Sequence, residues 1–214
     1  AITQAADTTI AVAGATTLEA SDGADPATDH DITLDGADND FVGTVTATAK
    51  DVTLADTNAL TASLTASGDS TLTADGNLAV SGSTQGLSTT TTNGGTTSFG
   101  ATTVGGDLSA TSDGAISQTG AMTVTGATTL AAGANDITLD DGANDFQDAV
   151  NATGQGVSLA DANALTAALN ASGDSSLESQ TELGLEPPEQ EEAGRRARQS
   201  RDRMAAMRGG IGSL

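Results

Sequence analysis

Along most of this chain apolar and hydroxyl-bearing residues alternate in short runs, and Gly, Asp or Asn breaks each run. Period-2 alternation is the pattern of a half-buried β-strand, because successive side chains leave opposite faces of an extended backbone. Thr8–Val12 sets Ile10 and Val12 on one face and Thr9 and Ala11 on the other, and Gly14 then turns the chain. Further short strands are predicted at Thr16–Leu18, Asp31–Leu34, Thr44–Ala47, Val52–Leu54, Ala62–Leu64 and Thr71–Thr73, none long enough for a sandwich. The apolar positions Val12, Leu34, Leu54 and Ala74 fall about 20 residues apart, as expected of a solenoid whose circuit takes about 20 residues. The alternation points Ile32, Leu34, Val52, Leu54, Ile137, Leu139, Val157 and Leu159 inward, and Thr33, Thr53, Thr138 and Ser158 outward.

The same phrases return 105 positions later. Residues 32–72 and 137–177 align without a gap and agree at about 26 of 41 positions, among them ITLD (32–35, 137–140), NDF (39–41, 144–146), NALTA (58–62, 163–167) and ASGDS (66–70, 171–175). Self-similarity at a fixed offset is the signature of stacked units that bury their apolar faces against one another. The fold expected is an all-β parallel β-helix over residues 1–177, with repeat copies at about 2–114 and 115–177, the second truncated. Each 105-residue copy should make about five coils, and residues 1–177 about eight.

Composition favours a narrow stack over a globule: three Phe, no Trp and no Tyr leave Val, Leu, Ile, Ala and Thr to fill the interior. Ser81–Gly106 is nearly all Ser, Thr and Gly, with Phe99 and Val104 as its strongest apolar anchors, so the weakest core and a ragged coil or two are expected there. Between Ala20 and Asp31 the first copy carries seven residues that the second lacks, including Pro26 and the only histidine, His30. Extra residues in a solenoid bulge from a corner, which makes His30 a solvated loop residue without a ligand set.

Residues 1–177 hold 22 Asp and Glu against a single Lys50, a net charge of −21, whereas all six Arg lie between Arg195 and Arg208. An acidic array repels phosphate backbones and anionic membranes, so no nucleic-acid partner is expected. The absence of cysteine excludes disulfides and thiolate metal sites. No apolar run reaches the length of a membrane span. The chain opens at Ala1 inside a repeat, without an initiating Met or a signal peptide, and reads as a piece of something longer. From Glu178 the copies diverge. Pro187 and Pro188, then Glu189, Glu191 and Glu192, later arginines and Gly209–Gly210, give a charged tail, 178–214, that is helical or disordered; Ala193, Ala197, Met204 and Met207 form only a thin apolar stripe.

Several stretches, AITQ (1–4), GDLSATSDGAISQTG (106–120), AISQTGAMTVTGATTLAAGANDITLDDGANDF (115–146) and VSLADANALT (157–166), resemble the repeats of filamentous-haemagglutinin-type proteins. The likeness covers about residues 1–177. It implies a right-handed parallel β-helix, a rod-like shaft or spacer of a large secreted bacterial surface adhesin or exoprotein, and export through an outer-membrane secretion partner. It also implies neighbouring repeats of a longer chain as partners, a host or cell-surface receptor or glycan at most, and no catalytic residues. The family's amino-terminal secretion domain has no counterpart here, and the tail does not look like its repeats.

Parallel β-helices also carry polysaccharide lyases and hydrolases, which need a base with cationic neutralisation or two carboxylates across a cleft. One Lys and no Arg in the repeat region argue against the first. The pairs Asp38/Asp40 and Asp140/Asp141 lie in Gly- and Asn-rich turns, where Asp serves its own backbone. No histidine accompanies the many Ser and Thr as a triad would require. No catalytic, cofactor or metal residues are therefore assigned. Calcium is the rival reading: Gly133-Ala-Asn-Asp136 and Gly142-Ala-Asn-Asp145 repeat at nine residues, the period of an RTX-like calcium β-roll. The second glycine of that motif is missing, Leu139 is displaced by one, and only two units occur, so Asx turns at corners account for the pattern. Two sequons, Asn151-Ala-Thr153 and Asn170-Ala-Ser172, complete the candidate chemistry.

Overall fold

The computed structural model describes residues 1–21 and 29–180. Ala1–Gln180 form one compact unit, and the described residues hold 22 strands and no helix. Nine strands make one sheet and eleven a second, with the chain passing from one sheet to the other at each half-circuit. Among the described residues all strand pairs are parallel, and each inner strand of the nine-stranded sheet pairs with the strands one circuit before and after it. The result is a parallel β-solenoid of about eight coils, ~4.8 Å apart, as the repeat requires.

Inward columns run up the stack. In the nine-stranded sheet one column is Ile2, Ile32, Val52, Ser70, Leu87, Leu108, Thr128, Val150 and Ala167, and a second is Leu34, Leu54, Leu72, Thr89, Ala110, Leu130, Ala152 and Leu169. The eight residues predicted to face inward are all buried, and Thr33, Thr53, Thr138 and Ser158 are not. Two of the positions expected to correspond are corrected. Leu54 stacks on Leu72, while Ala74 stacks on Asp56, and Val12 pairs with Phe41 in a short third sheet of Ala11–Val12 and Asp40–Phe41. Successive circuits take between 17 and 22 residues after the first, because the turns absorb different numbers of residues while the strands keep register. A fixed step of 20 therefore drifts off the column.

The first circuit is longer because it carries the insert. The His30 N–H donates to the Ala20 carbonyl at 2.9 Å. The ladder then resumes, with Lys50 N–H donating to the His30 carbonyl at 3.1 Å. The His30 side chain is exposed, and Pro26 lies outside the described residues.

The Ser/Thr/Gly stretch builds full coils, with one irregularity. It holds Leu78–Thr84, Leu87–Thr91 and Thr97–Val104, the last eight residues long, and Thr84, Thr89, Thr91, Thr97 and Thr102 are buried with Leu87, Phe99 and Val104. Threonine has the shape of valine and the same stiff χ1, so it fills an inward column once its hydroxyl is accommodated. Thr91 Oγ1 donates to the Gly95 carbonyl at 2.7 Å, and Thr84 Oγ1 lies 2.9 Å from both the Gly68 and Gly86 carbonyls. The hydroxyls of Thr89, Thr97 and Thr128 are buried without a partner. Between Val80 and Gly82 the register slips by one residue; Gly82 has φ +105°, and a Cβ there would sit 2.0 Å from the Leu64 carbonyl oxygen, so the bulge requires glycine.

The two sequence copies do not occupy the same face. Ile32–Leu34 lies in the nine-stranded sheet and Ile137–Leu139 in the eleven-stranded one; Val45–Ala49 and Val150–Gly154, Val52–Asp56 and Val157–Asp161, and Ser70–Ala74 and Ser175–Ser179 are exchanged likewise. Between Ile32 and Ile137 the chain crosses from sheet to sheet eleven times. The 105-residue copy is thus five and a half coils, and the second copy is related to the first by half a turn about the stack. Pairing runs slightly past the point where the copies diverge: Ser175–Ser179 pairs with Val157–Asp161, and Gln180 N–H reaches the Asp161 carbonyl at 3.1 Å. The remainder of the predicted tail, with its two prolines and its arginines, lies outside the described residues.

Candidate functional site

The most elaborate side-chain constellation is built twice, at the corners where the short third strands meet the main sheets. In the first copy the Asn39 amide, wholly buried, faces the Gln4 amide in a reciprocal pair. Gln4 Nε2 donates to Asn39 Oδ1 at 2.7 Å, and Asn39 Nδ2 donates to Gln4 Oε1 at 2.8 Å and to the Leu34 carbonyl at 3.2 Å. The Ile10 N–H completes Asn39 Oδ1 at 2.9 Å. In the second copy Asn144 and Gln118 do the same at 2.8 and 2.9 Å, with the Leu139 carbonyl at 3.2 Å and the Met122 N–H at 2.9 Å. These amides were not foreseen; the aspartates flanking Asn39 were singled out, but Asn39 itself is the residue turned inward.

A buried carboxylate closes each corner from the next coil. Asp56 accepts the Phe41 N–H at 2.8 Å and the Asn58 N–H at 2.8 Å, and Asp161 accepts the Phe146 N–H at 2.9 Å and that of Asn163. Asn58 Nδ2 then donates to Asp40 Oδ1 at 3.1 Å, and Asn163 Nδ2 to Asp145 Oδ1 at 3.0 Å. A buried carboxyl group is tolerated where backbone N–H groups satisfy its oxygens. The donors and acceptors of the corner are aimed at the chain itself, so what this chemistry does is fix the path of three successive strands.

A second family of carboxylates lines the corner ahead of the strands. Asp51 Oδ1 accepts the Asp69 N–H at 2.8 Å, Asp107 Oδ1 the Ala127 N–H at 2.9 Å, and Asp136 Oδ1 the Gly156 N–H at 2.9 Å. Lys50 Nζ stands 2.7 Å from Asp51 Oδ2 and 3.9 Å from Asp31 Oδ1. The hydrogen bond from Lys50 holds the Asp51 carboxyl below its ordinary range, and the same bond raises the Lys50 ammonium. In the second copy Gln155-Gly156 stands where the first has Lys50-Asp51, so the neutral pair separates Asp136 from Asp174 without a cation. That leaves an open groove of about 370 Å³ lined by Asp136, Gln155, Gly156 and Asp174. Asp69, Gln85, Gly86 and Asp107 line a groove of about 440 Å³ on the other sheet.

The remaining candidates are dispersed. Asp141 Oδ1 accepts the Ala143 N–H two residues on at 2.9 Å, an Asx turn. Of the calcium-motif residues, Asp136 caps a coil and Asp145 accepts from Asn163 and Gln147; among the described residues no three His, Asp or Glu side chains gather as a metal site. Asn151 and Asn170 are exposed on adjacent strands.

A family model of repeats of unknown function, DUF5649, matches residues 1–48 and 85–153. The matched segments stop at equivalent positions, Thr48 and Thr153, and each contains one complete Gln–Asn pair, Gln4 with Asn39 and Gln118 with Asn144. No curated protein and no solved structure matches the chain. With more than half of its length covered by that model, this β-solenoid belongs to the DUF5649 repeat family.

Proposed function

We propose that residues 1–180 are a shaft or spacer segment of a secreted bacterial surface adhesin or exoprotein of the filamentous-haemagglutinin type, displayed on the outer surface after export through an outer-membrane partner. The observation that carries this reading is the twice-built polar corner. Its buried amides and carboxylates are satisfied by backbone and by one another, which is how a molecule uses polar groups to hold shape. The net charge of −21 over residues 1–177 favours solubility of a long exposed rod and disfavours nucleic acid. On this reading the segment performs no catalysis and takes no cofactor, its partners are neighbouring repeats, and a receptor or glycan is met elsewhere on the longer chain.

The test is surface labelling of intact producing cells with an antibody raised against residues 1–180. Label on intact cells, removed by external protease, is expected. Label confined to lysed cells would overturn the assignment to the cell surface.

A further inference from the structure

The corner between Leu87–Thr91 and Thr97–Val104 carries a chemically labile bond in the middle of the stack. Of the chain's asparagines, Asn93 alone precedes glycine, the residue that least hinders approach of its own backbone nitrogen to the asparagine side chain. Both residues have positive φ, +53° at Asn93 and +74° at Gly94. Both are exposed, and no atom lies within 4 Å of where a Cβ on Gly94 would be. Two coils on, the corresponding corner uses glycine for this conformation, Gly133 at φ +58°. Asparagine is among the few other residues that tolerate it, and here its side chain is put to use.

Carboxylates from the two neighbouring coils hold the two nitrogens of the pair. Asn93 Nδ2 donates to Asp75 Oδ1, one coil before, at 2.7 Å, and the Thr92 hydroxyl donates to the same oxygen. The Gly94 N–H donates to Asp113 Oδ2, one coil after, at 2.7 Å. Deamidation requires the opposite arrangement. The Gly94 nitrogen gives up its proton and attacks Asn93 Cγ; the N–Cγ bond forms, the Cγ–Nδ2 bond breaks, and Nδ2 leaves as ammonia with that proton. Water then opens the cyclic succinimide at one carbonyl or the other, giving aspartate or isoaspartate. The bond to Asp113 favours the protonated amide, and carboxylate charge nearby opposes the nitrogen anion. The two bonds also draw the reacting groups towards different coils.

We propose that Asn93-Gly94 is a modification site gated by the stack, shielded while the corner is closed and deamidating when it opens, so that a transient opening leaves a permanent mark. The closed corner is not rebuilt afterwards. Aspartate at position 93 sets a carboxylate against Asp75 where an amide donor stood, and like charges repel. Isoaspartate adds an atom to the main chain within the turn where the Gly95 N–H donates to the Thr92 carbonyl at 2.9 Å and Thr91 Oγ1 donates to the Gly95 carbonyl at 2.7 Å. The rate in the native protein then follows the fraction of time that the corner is open.

Incubation of the full 214-residue chain at mildly alkaline pH, in native buffer and in unfolding urea, followed by mass mapping of peptic peptides, tests this. A gain of one mass unit at Asn93 is expected, slower in native buffer than in urea by about tenfold or more, the worth of a hydrogen bond to a charged group. Asp113→Ala and Asp75→Ala are each expected to raise the native rate about tenfold and to leave the urea rate unchanged. Asp136→Ala, which removes a corner carboxylate from another coil, is expected to change neither. The deamidated form, separated by anion exchange, is expected to unfold at a lower urea midpoint. Equal rates in native buffer and in urea overturn the proposal, and that comparison needs no variant. A native rate that neither Asp113→Ala nor Asp75→Ala raises overturns it too, as does equal acceleration in Asp136→Ala, or a deamidated form with an unchanged midpoint.

Discussion

The Asp51 carboxylate sits where a side chain at Gly68 would begin: a Cβ on Gly68 would lie 1.9 Å from Asp51 Oδ1. The same seat recurs at Asp107 over Gly126, at 2.3 Å, and at Asp69 over Gly86, at 2.7 Å. An aspartate in one coil thus demands glycine in the next, where it reaches the amide of the following strand. Gly68→Ala is expected to destabilise the fold by about 1–3 kcal/mol, the range for overpacking, as measured by urea unfolding. Asp51→Ala alone forfeits a hydrogen bond, but combined with Gly68→Ala it should cost less than the sum of the two, since the clash has gone. Strict additivity would show that the two residues are not coupled.

Lys50 and Asp51 give the stack a charge-dependent element at the same corner. Because the folded Asp51 carboxyl titrates below its ordinary value of 3.8, its contribution is complete above the ordinary carboxylate range and is lost as pH falls through the depressed value. For Lys50, raised from 10.5, the contribution is complete below that value and is lost as pH climbs through the raised one. Lys50→Gln is expected to move the Asp51 titration upward in carbon-detected NMR. An unmoved midpoint would remove Lys50 as its cause.

Thr89, Thr97 and Thr128 stand in inward columns with hydroxyls that meet no partner. An unsatisfied buried hydroxyl costs about 1–3 kcal/mol, and valine has the same outline. Thr97→Val and Thr128→Val are each expected to raise stability, by about 1 kcal/mol, read as a higher urea midpoint at constant m. Thr91→Val, by contrast, should be destabilising, because it removes a hydroxyl that donates to the Gly95 carbonyl and accepts the Asp113 N–H.

Breaking the amide pair should be more damaging. Asn144→Ala removes both hydrogen bonds to the half-buried Gln118 and the acceptor of the Met122 N–H, with an expected loss of about 3 kcal/mol. Asn39→Ala should lose a similar amount, because Gln4 is half-buried like Gln118 and the Ile10 N–H loses its acceptor. Losses near zero in both variants would mean that the network contributes nothing to stability.

Calcium and simple screening separate on a salt background. If repulsion among 21 net negative charges is the destabilising factor, sodium chloride at a few tenths molar should raise the thermal midpoint more than a few millimolar calcium does, because the Debye length falls from roughly 30 Å at 0.01 M to roughly 10 Å at 0.1 M ionic strength. That is the expected result. A calcium effect that persists in high salt and disappears in Asp136→Ala or Asp145→Ala, but not in Asp51→Ala, would establish specific sites instead.

Alternation alone located the strands and the inward face at Ile32, Leu34, Val52, Leu54 and their later counterparts, since a single step out of register would have exposed all of them. In residues 81–106 it anticipated the irregularity at Val80–Gly82 but not the long buried strands, because hydropathy ranks threonine as polar, whereas in a column its methyl and β-branch pack and only its hydroxyl needs a place. The polar corners carried a weak signal: Asp56 and Asp161 have the inward parity of Leu54 and Leu159, two residues before each, and polar residues on that face ask for partners. What they pair with, across 15 to 35 positions, depends on circuit lengths that no local pattern encodes. The exchange of faces was equally illegible, because each copy reads the same whichever sheet it builds.

That exchange gives the repeat number a parity. Recombination between the two copies of the coding sequence would add or delete 105 residues at a time, and each such event shifts the downstream chain by about 26 Å along the axis at ~4.8 Å per coil while also turning it half a revolution. A lineage that gains one copy carries everything beyond it on the opposite side of the rod. A second gain restores the original aspect at greater length. Variation in length among such rods therefore comes in two kinds, odd steps that reverse what the distal part presents and even steps that only extend it.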